Sequence, residues 1–372
     1  MRLEFLVAIA GGCGFSTSLT NPPADAPPDV AIDAPPQPIC FQERCRRKTI
    51  TIDHTKVTGG PLLQFPLYVK LADADFANAA PLGTDFAFVA GTTALPFERE
   101  RFANNELVAW VAIPSLSSTT DTVIGLYYGD PTATDLQNRA AVWDTNYQAV
   151  WHLGETTGGT NAIKDSTSRA NNGTDNGGLA LGGAAQLGFG AAFDGVDDHI
   201  QVPTSATLTD TAALATLGMW VKWTQATGTD YQRLLMTSNT LANDDSGPEW
   251  ATNMMGQYYY YPSNAGGNNY AAIITPFTNG MWHHVVVTHN FATKAVAIYF
   301  DGAQRVLDFD NTPTNWTNLT NPAPWYWGGA PPRTKFAGMM DEIRVSKSIR
   351  SAGWIATEYA NQKSPSTFYA VD

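Results

Sequence analysis

Between Thr49 and Tyr128 apolar residues recur at every second position in a series of short runs. Ile50 and Ile52 alternate with threonines; Leu67, Val69 and Leu71 share one side of "FPLYVKLA"; Phe86 and Phe88 share one side of "DFAFVAG". The run "ELVAWVAIP" follows, and Ile124, Leu126 and Tyr128 line one side of "DTVIGLYYGDP". Side chains alternate across a strand, so period-two runs divided by Pro, Gly and Asn predict a β-sandwich with one face of each strand in its core. A second series runs through "GAAFDG", "HIQVP", "ATLGMWVKW", "WHHVVVTHN", "AVAIYFDG" and "MMDEIRVS". In "AVAIYFDGAQRVLDF" the Asp301-Gly302 pair accepts positive φ and predicts a tight hairpin. Helical periodicity is confined to "SAGWIATEYANQ", with Ser351 as N-cap and Trp354, Ile355 and Tyr359 turned inward. The fold class expected is all-β, with one short C-terminal helix.

Upstream of both series, "TNPPADAPPDVAIDAPPQP" carries proline too often for helix or ladder pairing and predicts an extended tether. The 372 residues are 44% hydrophobic and only 15% charged, rich in Gly and Trp, a balance suited to an extracytoplasmic β protein. A net charge of −12, with "RCRRK" as the one basic run, argues against nucleic acid as a partner. No apolar run reaches the roughly 18 residues that span a bilayer as a helix. "MRLEFLVAIAGGCGFS" instead reads as an export signal, and "AIAGGC" resembles a bacterial lipobox in which Cys13 is lipidated. Cys40 and Cys45 remain, either as a disulfide formed outside the cytoplasm or as two free thiols. The expected organisation is a signal peptide at 1–12, a tether at 13–39, a β-sandwich at 40–140 and a second β domain at 141–372. Such a chain would sit in the bacterial envelope, lipid-anchored and facing outward.

The order "RKTITID…FPLYVKL…DFAFVAG…LPFERERF…LVAWVAIPSLSSTTDTVIGLYYGDP", over about residues 46–135, resembles a bacterial domain of unknown function found in envelope and surface proteins. That resemblance implies a β-sandwich and no reaction. The series "FDGVDDHIQVP…LGMWVKW…GMWHHVVVTHN…AVAIYFDGAQ…FAGMMDEIRV", over about residues 147–372, resembles the laminin-G-like (LamG), concanavalin A-like lectin/glucanase jelly roll. Such modules often bind one calcium at a rim. By that resemblance Asp165, in "KDSTSRANNGTDN", and Asp341, in "MMDEIRV", would be its carboxylate ligands, loop carbonyls supplying further oxygens.

The residues themselves suggest less chemistry. The three aspartates of "FDGVDDHIQVP" suit a turn between two buried strands, because their side chains bond nearby amides. His283 and His289, six residues apart on one strand face, lie ~20 Å from each other and cannot share a metal. Asp341 and Glu342, adjacent on a strand, are expected on opposite faces. Asp308 and Asp310 share a face, but a solvated strand explains them, so catalysis, including glycoside hydrolysis, is not expected. Sugar recognition is better supported by aromatic-rich loops, since flat rings stack on pyranose CH groups. The rings assigned to that role are Tyr258 and Tyr260 of the run "YYYY", with Trp316, Trp325 and Trp327. The function expected is therefore non-catalytic binding of a polysaccharide or glycoconjugate with calcium at the rim, or, as the alternative, a scaffold that binds a surface protein.

Overall fold

In a computed structural model the chain is described over residues 40–209, 214–224, 231–238, 248–253, 255–262, 270–274, 278–290, 292–311, 323–329 and 335–372. Cys13, the tether and Trp316 lie outside these residues.

The first alternating series folds as expected into two facing sheets. Arg46–Ile52, Ala87–Ala90, Thr93–Ala94 and Thr122–Tyr128 build a five-stranded sheet together with Tyr369–Val371. Leu62–Ala72, Glu106–Leu116 and Phe97–Ala103 form the three-stranded sheet opposite. Ile50, Ile52, Leu67, Val69, Phe86, Phe88, Ile124 and Leu126 meet between them, the residues that the alternation places inward. A disulfide joins Cys40 to Cys45 at the entry to this sandwich, so the bridge is the form the pair takes. Beside it the buried Arg44 guanidinium donates to the carbonyls of Asp85 and Thr134, at 2.6 and 2.5 Å.

The second series forms a jelly roll of two eight-stranded sheets. The junction sheet runs Ala180–Ala184, Phe189–Asp194, Ala337–Ser346, Leu214–Trp223, Trp282–Asn290, Ala295–Phe300, Ala303–Gln304, with Tyr147–Trp151 paired to Ala337–Ser346. The outer sheet runs Phe309–Asp310, Ala271–Ile273, Tyr258–Tyr261, Glu249–Asn253, Tyr231–Thr237, Trp325–Trp327, His199–Val202, Thr174–Asn176. Asp301 and Gly302 turn the predicted hairpin at φ 50° and 78°. Phe193, Ile200 and Val202 enter the core on either side of the aspartate turn, where Asp194 Oδ1 accepts from the amides of Val196 and Asp197.

The C-terminal residues leave the jelly roll. Ser351 caps the helix Ala352–Lys363, its hydroxyl accepting from the amide of Trp354. Trp354, Phe368 and Tyr369 then enter the core of the first sandwich. Ile50 pairs with Val371 and Ile52 with Tyr369, so the last strand completes the five-stranded sheet. The helix also covers the open edge of the three-stranded sheet: the Asn361 carboxamide accepts from Tyr68 N at 2.7 Å and donates to Tyr68 O at 3.0 Å. A bare edge strand would leave these groups unpaired. Residues 352–371, assigned from sequence to the second domain, thus serve both: Ile355 packs on Val286 and Tyr299 of the jelly roll, while Trp354, Phe368 and Tyr369 complete the first sandwich.

A third apolar cluster joins the sandwiches. Tyr68, Val108 and Trp110 project from the three-stranded sheet onto Trp143, Tyr147, Val150, Leu187 and Trp220. The histidines of "WHHVVVTHN" are structural, as their strand positions suggest. His284 stacks on Tyr359 and meets the Trp220 ring at a tilt, and His289 meets the Tyr260 hydroxyl at 2.9 Å. Burial lowers His284 to about 4 and His289 to about 2. Both stay neutral in the fold but take up protons on unfolding below about pH 6.5, so their contribution is present above that pH and lost as it falls. Replacing His289 with Phe should remove one such linkage. Between pH 6.5 and 4 the variant should gain on the wild type by about 1.4 kcal/mol per pH unit in urea titrations. Parallel pH profiles would refute the assignment.

Candidate functional site

Strand alternation divides the four-tyrosine run into two pairs, and the neighbouring strand decides which is inward. Tyr260 stands opposite Trp250, whose ring lies in the jelly-roll core, so Tyr258 and Tyr260 are buried with it at 0% and 1% exposure. Trp325 and Trp327 are buried at 3% and 1%. These four rings pack the core and present no face to a sugar, which corrects their assignment as ligand contacts.

The other pair, Tyr259 and Tyr261, lies half-buried on the outside of the outer sheet. Their ring centroids are 6.5 Å apart and their planes 18° from parallel. Tyr270 contacts both, at 5.3 and 5.5 Å; Tyr231 meets Tyr259 edge-on at 5.5 Å, and Phe309 extends the patch from Tyr270. Ala251 and Ala272, in register with Tyr259 on either side, leave room for the rings above the sheet. Polar groups border the patch. Asn253 Nδ2 donates to Gln257 Oε1 at 2.6 Å, the Tyr259 hydroxyl donates to the same oxygen at 3.1 Å, and Arg233 pairs with Glu249 at 2.8 Å. An aromatic surface edged by amides, hydroxyls and one ion pair can stack on an apolar ring face while bonding its substituents.

The two proposed calcium ligands are used otherwise. Asp165 Oδ1 accepts from the amides of Val150 and Thr167, and Oδ2 from the Thr167 hydroxyl and the Asn171 amide. Both oxygens are filled by donors of its own loop and the adjoining strand, so Asp165 anchors the loop and does not fit a calcium ion. Asp341 lies fully buried at the junction of the sandwiches, where its charge is felt by a different set of groups.

That junction holds a site which sequence reasoning missed. Met340 and Ile343 both enter the jelly-roll core. The two residues between them therefore face the first sandwich together, across a register shift in which Glu342 takes φ 54°. Asp341 and Glu342 consequently share a face, contrary to simple alternation, because a bulge inserts one extra residue. A second irregularity lies opposite, between Arg99 and Arg101, and there Glu98 and Glu100 approach the same space. His152 sits between, its Nδ1 2.7 Å from Glu342 Oε1 and its Nε2 3.2 Å from Glu98 Oε2, its ring stacked on Trp110. Arg344 binds Glu342 Oε2 at 2.9 Å, pairs with Glu358, and lies over the Trp110 ring. A cleft of ≈ 360 Å³ opens onto this cluster, bordered by Glu98, Glu100, Arg139, His152, Lys164 and Ser166.

The environments divide the acids. Burial pushes Glu100 up to about 7 against the pull of His152. Asp341 is raised well above the carboxylate range by burial and by Glu342. Glu342 is held low despite its burial, through His152 and Arg344. Burial works against the His152 charge, but Glu342 and Glu98 outweigh it and raise the imidazole. The one local signal was "FERER", which places two glutamates two residues apart on a strand.

Two antiparallel eight-stranded sheets closing on a shared core, docked against a smaller sandwich, define an all-β protein with a concanavalin A-like domain. Residues 194–356 match the family model described as the concanavalin A-like lectin/glucanases superfamily, Laminin_G_3. The jelly roll is concanavalin A-like in fold, and the smaller sandwich is compatible with the β domain that the first segment resembles. No curated protein matches the chain. Among solved structures, domain 4 of AbnA, a GH43 extracellular arabinanase from Geobacillus stearothermophilus in complex with arabinotriose, is 17% identical. It aligns with TM-score 0.43 over 58% of this chain and 98% of that one. The binding domain of botulinum neurotoxin DC in complex with SialylT is 10% identical, with TM-score 0.43 over 59% and 52%. The receptor-binding domain of botulinum neurotoxin D is 12% identical, with TM-score 0.45 over 58% and 53%. The chain spans about half the length of these toxin domains. The overlaps are too loose to transfer a residue or a ligand.

Proposed function

We propose that this protein is a non-catalytic recognition module that binds a glycan or glycoconjugate on the tyrosine face of its outer sheet. The observation that carries this reading is the contiguous patch of Tyr231, Tyr259, Tyr261 and Tyr270, half-buried on one sheet face and bordered by Asn253 and Gln257. The lectin/glucanase family match over residues 194–356 supports it. In the same reading Cys13 carries a lipid and the proline-rich stretch holds both sandwiches away from an envelope surface.

The test is a glycan array with the full chain, followed by affinity electrophoresis on the best polysaccharide. Tyr259→Ala and Tyr261→Ala should each weaken retention by about 10-fold or more, as loss of a central aromatic contact does. Tyr258→Phe, a change in the core, should retain wild-type binding. Equal retention by all three variants, or silence across the array, would reject the tyrosine face as a sugar site.

A further inference from the structure

We propose that the junction of the two sandwiches is a binding site for one divalent transition-metal ion of the zinc class, held by Glu100 from the first sandwich and His152 and Glu342 from the second. Ligand atoms of these three residues all lie within 4.8 Å of one another.

Each of the two carboxylates has one oxygen held by a donor outside the group. Trp110 Nε1 donates to Glu100 Oε2 at 3.1 Å, leaving Oε1. Arg344 holds Glu342 Oε2, while Oε1 shares a hydrogen bond of 2.7 Å with His152 Nδ1, the contact a metal ion would replace. Glu98 Oε2 accepts from Trp143 Nε1 and faces His152 Nε2, while its Oε1 accepts from the Ser166 hydroxyl. His152 lies between two carboxylates; a metal ion bound at Nδ1 would displace the proton shared there with Glu342, while Glu98 holds the proton on Nε2, as carboxylate partners do for metal-bound histidines.

A separate observation points to the same place. Asp341, 0% exposed, accepts from the Leu187 amide with Oδ2 at 2.7 Å, and its Oδ1 has no partner. It faces the first sandwich from the position next to Glu342, within the field of Glu342, Glu100 and His152. The buried hydroxyl of Tyr68, close to the same acids, is also without a partner. Unpaired polar atoms in a dry setting are costly, and water carried in by a bound cation would offer them partners. Five carboxyl groups, those of Glu98, Glu100, Asp341, Glu342 and Glu358, gather around His152 and Arg344, with Arg139 4.0 Å from Glu98. An imidazole with two or three carboxylates suits zinc better than calcium, which takes six to eight oxygens. The cleft supplies the path of entry.

The experiment uses the tag-free full chain, stripped with a chelator and titrated with ZnCl2 by calorimetry, then with CoCl2 by visible spectroscopy. One equivalent of zinc is expected. Glu100→Gln, nearly isosteric and the least buried of the three ligands, should weaken it at least 10-fold with an unchanged circular dichroism spectrum. His152→Gln should abolish the cobalt d–d bands, and Asp194→Asn, in the exposed aspartate turn, should change nothing. A 100-fold excess of CaCl2 should not displace zinc. Absence of saturable binding, wild-type affinity in Glu100→Gln, loss of the site in Asp194→Asn, or displacement by calcium would each overturn the proposal.

Discussion

Deletion of Pro365–Asp372 is expected to unfold the first sandwich, although these residues lie more than 200 positions from its other strands in sequence. Phe368 and Tyr369 are 1% and 4% exposed within its core, and the Tyr369 hydroxyl accepts from the amide of Lys70 at 2.9 Å. Tyr369–Val371 also completes the five-stranded sheet beside Arg46–Ile52. Truncation of one large buried aromatic costs about 3–5 kcal/mol. Two such losses together with a strand approach the whole stability of a typical domain, about 5–15 kcal/mol. Scanning calorimetry should show a new transition at low temperature, and limited proteolysis should cut within residues 40–140 while the jelly roll survives. An unchanged single transition would mean that the last strand only decorates the sheet.

The second large effect is expected at Arg344. Its guanidinium pairs with Glu342 and Glu358 and lies 4.4 and 5.1 Å from the Trp110 and Trp143 ring centres. Arg344→Met keeps much of the side-chain volume but takes the guanidinium from two carboxylates, 2% and 8% exposed, of which Glu342 keeps His152 as a partner. Breaking a buried pair from one side costs about 3–5 kcal/mol, because the remaining charge is stranded. Urea denaturation of the variant should show a loss of that size. The double variant Arg344→Met/Glu358→Gln should recover part of it, since one stranded charge is then removed. A loss below about 1 kcal/mol would show that water replaces the guanidinium at little cost.

The particular elements show how far local reading extends. Ile50, Phe86, Leu126, Ile200 and Val202 were placed inward by alternation alone, and Asp301-Gly302 and Ser351 by turn and cap chemistry; all are found so. Alternation divides the tyrosine run correctly into two pairs, but the pair named as outward, Tyr258 and Tyr260, is the buried one. Only the position of Trp250 on the next strand shows which side is core. The glutamates of "FERER" and the pair Asp341-Glu342 looked unrelated, and a bulge at each meeting place brings them around His152.

The sequence by itself therefore determined what depends on near neighbours: strands from period two, turns from Asp and Gly, a helix from its cap, and two β domains from the order of their runs. Tertiary structure alone decided which face of the tyrosine strand is outward, where a bulge reverses a strand's face, and that the final strand returns to the first sandwich. The physical reason is that register and burial are properties of paired sheets, in which one extra residue or one distant partner redirects a side chain that its own neighbours leave free to point either way.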